Sequence, residues 1–165
     1  MSESILPEQV FKLAKRVVEE NTKAGRKIVL AESCTGGLVA AAITEIAGSS
    51  AVLDRSFVTY SNEAKQVDLG VPSDIIEAFG AVSIATAFAM AKGALDRSNA
   101  DVAVAISGIA GPGGGSDLKP VGTVVFARAI RSEEEPMADE RLFEGENRAG
   151  VRRQATLVAL ELLLP

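Results

Sequence analysis

The run Ile28-Val29-Leu30-Ala31 sets four apolar side chains in succession, with no alternation between faces. A strand wetted on one side alternates; an unbroken run belongs to a strand covered on both faces, as in a parallel sheet with helices above and below it. Asp101-Val102-Ala103-Val104-Ala105-Ile106-Ser107 repeats the pattern. Helical spacing of apolar residues predicts helices over 7–24, 35–46, 83–97 and 148–164, with shorter ones from Ser61 or Asn62 to Leu69 and from Ser73 to the break at Gly80. Strands are expected over 55–60 and 122–130, with a possible edge strand at 141–143 and a solvated connection over 131–139. The expected fold is α/β: a single domain over 1–165, a three-layer α/β/α sandwich around a mostly parallel central sheet.

Composition narrows the function. A chain of 165 residues, 47% hydrophobic, can bury a proper core, and its net charge of -5 without a basic cluster argues against a nucleic-acid surface. One cysteine precludes an intrachain disulfide, no leader is expected at Met1, and the apolar runs are too short to span a bilayer, so a cytoplasmic protein without membrane partners is expected. The chain has no histidine. Ser-His-Asp triads, Cys-His dyads and histidine-ligated zinc sites are therefore excluded within it, and any general base must be Lys, Asp, Glu or Tyr.

Three loops follow strands and hold small polar residues: Ser33 to Gly37, Tyr60 to Lys65 and Ser107 to Ser116. Ligands of open α/β sheets bind beyond the carboxyl ends of the strands, so these loops are expected to converge. At Ser33-Cys34-Thr35-Gly36-Gly37 a strand turns into a helix, whose first N–H groups could hold an anion or a developing oxyanion; equally, Ser33 or Thr35 could merely cap the helix while the glycines turn the chain. Ser33 is favoured as nucleophile over Cys34, which has no histidine to make its thiolate. Lys65 is the candidate base if desolvation lowers its pKa, and a solvated helix lysine otherwise. The loop of Gly108, Ile109, Ala110, Gly111, Pro112, Gly113, Gly114, Gly115 and Ser116 matches neither the phosphate-binding nor the dinucleotide fingerprint, leaving a generic substrate loop or a flexible linker. Arg152 and Arg153 are candidates for a phosphate.

Taken in order, AESCTGG (Ala31–Gly37), FVTYSNEAK (Phe57–Lys65), SGIAGPGGGS (Ser107–Ser116), KPVGTV (Lys119–Val124) and VRRQA (Val151–Ala155) resemble the CinA C-terminal domain family, whose stand-alone members are nicotinamide-nucleotide amidohydrolases. The resemblance implies hydrolysis of the carboxamide of nicotinamide mononucleotide in pyridine-nucleotide recycling, with Ser33 as nucleophile and Lys65 as general base. It implies substrate contacts by Thr35, Gly36, Gly37, Tyr60, Ser61, Asn62, Ser107, Gly108, Ala110, Gly111, Gly114 and Gly115, and a phosphate end at Arg152 or Arg153. No metal or cofactor is implied, and a homo-oligomer is. The reading from a different class is a non-catalytic module that binds or senses a nucleotide, with Ser33 and Lys65 as hydrogen-bonding groups only.

Overall fold

A computed structural model describes residues 3–165. The elements run α1 (Glu8–Ala24), β1 (Ile28–Glu32), α2 (Leu38–Thr44), β2 (Leu53–Val58), α3 (Asn62–Leu69), α4 (Ser73–Phe79), α5 (Ile84–Asp96), β3 (Val102–Gly108), β4 (Thr123–Ile130), β5 (Met137–Leu142) and α6 (Arg148–Leu162). They build one five-stranded sheet in the order β2-β1-β3-β4-β5. β1 pairs in parallel with β2 on one side and β3 on the other, because helices carry the chain back between them. β4 returns antiparallel through the glycine-rich loop, and β5 follows antiparallel at the edge.

The pleat divides the strands into two cores. Ile28, Leu30, Val104, Ile106 and Phe126 face the layer of α1, α2 and α6, while Val29, Ala31, Ala103, Ala105 and Ala127 face α5 and its neighbours. The second face is largely alanine, so α5 lies close to the sheet. Every residue of β1 is buried, as the unbroken run requires. α1 stops where its rhythm ends: Gly25 takes the left-handed conformation (φ 63°) and donates to the carbonyls of Asn21 and Thr22. No helix among the described residues is long and apolar enough to cross a membrane.

Three expected boundaries move. α2 begins at Leu38 rather than Thr35, because Gly36 (φ 58°) and Gly37 (φ 102°) are left-handed and residues 34–37 form a turn. β2 spans Leu53–Val58, two residues earlier than expected, so Thr59 and Tyr60 lie beyond its end. β5 starts inside the stretch expected to be a solvated connection and ends at Leu142. Its exposed Met137, Glu140, Arg141 and Leu142 offer no alternation to recognise.

Candidate active site

The site lies where β1, β2 and β3 end. Ser33 continues the sheet by one bond, its N–H donating to Ile106 O at 2.9 Å, and Thr59 N–H donates to Glu32 O at 2.9 Å. These bonds bring the segment after β2 beside the turn after β1. α3 then starts at Asn62, with Ser61 Oγ accepting from Ala64 N–H as the cap, and its first turn delivers Lys65.

Lys65 is 1% exposed and Ser33 7%. Lys65 Nζ stands 2.9 Å from Ser33 Oγ, 2.8 Å from Thr59 O and 3.1 Å from Tyr60 O. Two carbonyls can take two N–H bonds only, so an uncharged amine would turn its lone pair to the Ser33 hydroxyl. Burial lowers the Lys65 pKa from its ordinary 10.5 to about 8. Cys34 goes the other way: burial raises its thiol to about 11, which keeps it protonated at neutral pH. Thr59 Oγ1 is buried with no hydrogen-bond partner among the described residues.

Glu32 anchors the turn from beneath. Fully buried, its carboxylate accepts from Thr35 Oγ1 at 2.7 Å and from the N–H groups of Val39 and Ala40 at 3.0 and 3.1 Å. The first turn of α2 is thereby occupied, at Val39 and Ala40, by the protein's own anion. The N–H groups of Thr35 and Gly37, within the turn, have no acceptor among the described residues. From the other side Arg152 donates to Cys34 O at 3.0 Å and to Thr35 O at 3.3 Å.

Arg148 joins two loops. It donates to Gly111 O at 2.7 Å and to the Tyr60 hydroxyl at 2.9 Å, closing the glycine-rich loop toward Tyr60, which is 60% exposed. The three loops singled out in the sequence therefore meet. Other candidates sit at varying removes. Thr35 is turned toward Glu32, and Ser107 donates to Ala81 O at 2.8 Å, so both hydroxyls are engaged by the protein. Gly108 packs where a Cβ would press on Val124 and on Cys34 Sγ; Ala110 is buried behind the loop; Asn62, Gly114 and Gly115 are exposed. Arg153 lines a separate cavity with Leu6 and Val10, away from Ser33.

Glu32 and Arg148 are the residues that sequence reasoning passed over. Each carried a signal: Glu32 is the one charged residue at the end of an otherwise apolar strand, and Arg148 is a cation in the first turn of a helix, against the dipole preference.

Fold and site together define a three-layer α/β/α domain that sets a buried lysine against a serine hydroxyl beyond its strand ends. More specifically, the chain belongs to the CinA C-terminal domain family, whose model matches residues 10–165. It is 50% identical over 155 residues to the nicotinamide-nucleotide amidohydrolase PncC of Escherichia coli K12, covering 94% of this chain and 93% of that protein. It is also 48% identical to a putative competence-damage inducible protein of Symbiobacterium thermophilum, of which it spans 38%. The crystal structure of the competence/damage inducible protein CihA from Agrobacterium tumefaciens superposes with a TM-score of 0.94 at 49% identity, covering 97% of this chain and 96% of that one.

Proposed function

We propose that the protein hydrolyses the carboxamide of nicotinamide mononucleotide to nicotinate mononucleotide and ammonia. The observation that carries the reading is the buried 2.9 Å contact between Lys65 Nζ and Ser33 Oγ, in a chain half identical to an enzyme named for this chemistry. Neutral Lys65 takes the Ser33 proton as Oγ attacks the carboxamide carbon. The oxyanion that forms is left to the turn N–H groups of Thr35 and Gly37, since Glu32 holds those of α2. Lys65 passes its proton to the departing nitrogen, the C–N bond breaks, and ammonia leaves an acyl-Ser33 ester. Water, deprotonated by Lys65, attacks the ester, and the proton returns to Ser33 Oγ as the carboxylate departs.

The phosphate falls to Arg148 rather than to Arg152 or Arg153: Arg148 is exposed beside Tyr60 and the glycine-rich loop, whereas Arg152 and Arg153 line a cavity that Ser33, Tyr60 and Lys65 do not. The work is that of pyridine-nucleotide recycling in the cytoplasm. Ammonia release from nicotinamide mononucleotide tests the reading directly. Ser33→Ala should reduce kcat by several orders of magnitude with the fold intact, and Cys34→Ala should leave it within a few-fold. A wild-type protein that binds the nucleotide and releases no ammonia would instead be a nucleotide-binding module.

A further inference from the structure

Behind the Cys34–Thr35 turn, on the α1–α6 side, lies a cavity of about 190 Å³ that Ser33, Tyr60 and Lys65 do not line. Leu6, Pro7, Val10 and Leu38 make its apolar walls, and Arg152 and Arg153 are the charged residues of its lining. The ion pairs of the described residues engage Lys12, Lys15, Arg16, Arg55 and Arg141 and neither of these arginines. Arg152 donates through Nε and Nη2 to two neutral carbonyls, and no acceptor among the described residues takes Nη1. An apolar hollow of about 150 Å³ is room enough for a benzene ring. Apolar walls fix the body of a ligand and the guanidinium forks fix its charge, since carboxylate matches them in a bidentate way.

We propose that this cavity is a binding site for a small monocarboxylate with a compact apolar body, and that Arg152 couples its occupancy to the Ser33 turn. An ionised carboxylate is a stronger acceptor for Arg152 than a peptide carbonyl. A bound anion therefore competes with Cys34 O and Thr35 O for the guanidinium. The turn loses its hold on one side, and the reaction slows without any ligand entering the Ser33 cleft. The coupling rests on the proposed role of Ser33; the binding site does not.

Benzoate is the probe. In an NMR titration of the full chain, the methyl signals of Leu6, Val10 and Leu38 should shift and saturate. Ala149→Phe closes the cavity from its exposed rim on α6 and should abolish those shifts while leaving kcat/KM without benzoate within two-fold. Arg153→Ala should weaken binding about tenfold, a loss of about 1.4 kcal/mol. In turnover assays benzoate should lower kcat several-fold at constant KM, and Ala149→Phe should be insensitive to it. Absence of saturable shifts, or shifts that persist in Ala149→Phe, would overturn the site. Inhibition competitive with nicotinamide mononucleotide would overturn the coupling by placing benzoate in the Ser33 cleft, as would saturable binding with kcat unchanged. Should the protein release no ammonia at all, the titration still decides whether the site exists.

Discussion

At the scale of single residues, the decisive group is the Lys65 amine, which must be uncharged to act as the proposed base. With its pKa near 8, about a tenth of the molecules at pH 7 carry the neutral form, against fewer than about one in a thousand for an ordinary lysine. The kcat/KM profile should accordingly rise with pH and level off above about 8. Lys65→Arg should lose nearly all activity although it keeps the charge, because guanidinium holds its proton at any working pH; substantial activity in that variant would mean a base elsewhere. Its neighbour Thr59 supplies a second test. Thr59 Oγ1 is buried without a partner, so Thr59→Val removes an unsatisfied hydroxyl while the backbone carbonyl still accepts from Lys65. Stability should stay level or rise by about 1 kcal/mol, read from the urea midpoint. The meeting of Ser33 and Lys65 was legible in the sequence because both lie in segments that follow strands of one sheet. What Glu32 holds was not, since its partners Val39 and Ala40 lie seven and eight residues on, well outside the three-residue spacing of a helix capping box.

Among the elements, α3 owes its position to α5. A Cβ at Gly93 would sit inside the backbone carbonyl of Leu69, which belongs to the last turn of α3, one turn beyond Lys65. Gly93→Ala should therefore force the two helices apart at a cost of about 1–3 kcal/mol. Because α3 also carries Lys65, the proposed base, kcat should fall even where the protein remains folded; full activity with reduced stability would show that Lys65 does not depend on this packing. The parallel half of the sheet was readable because both-face burial leaves unbroken apolar runs at 28–31 and 102–106. β5 was readable only at its end, expected over 141–143; its start at Met137 was not, since its outward and edge positions carry Glu140 and Arg141 and backbone pairing with β4 makes it a strand. The start of α2 was misplaced for a related reason: Gly36 and Gly37 are compatible with a helix on paper, and only their left-handed φ excludes it.

For the molecule as a whole, burying Lys65 and Cys34 gives stability an unusual alkaline dependence. Between about pH 8 and 10.5 the unfolded chain holds the Lys65 proton that the folded one has lost, so unfolding free energy rises with pH, by at most about 1.4 kcal/mol per unit. Cys34 opposes it between 9.0 and about 11, where the unfolded chain has ionised the thiol and the folded one has not. Denaturant unfolding should show a gain from pH 8 to 9 that flattens above it. In Cys34→Ala the gain should continue to about pH 10.5, and in Lys65→Met it should vanish. A wild-type curve that falls from pH 8 would contradict the burial of the amine.

Ser33 and Lys65 lie 32 residues apart and could meet as soon as β1, β2 and α3 have folded. Arg148 and Arg152, which tie the Tyr60 and glycine-rich loops together and pin the Ser33 turn, both belong to α6, which is made after all three of those elements. If Ser33 and Lys65 act as proposed, the order of synthesis should work as a safety catch: a nascent chain that already holds both should stay idle until α6 clears the exit tunnel and docks. Chains stalled with α6 still inside the tunnel should release no ammonia, and those stalled a few tens of residues later, behind an added linker, should be active.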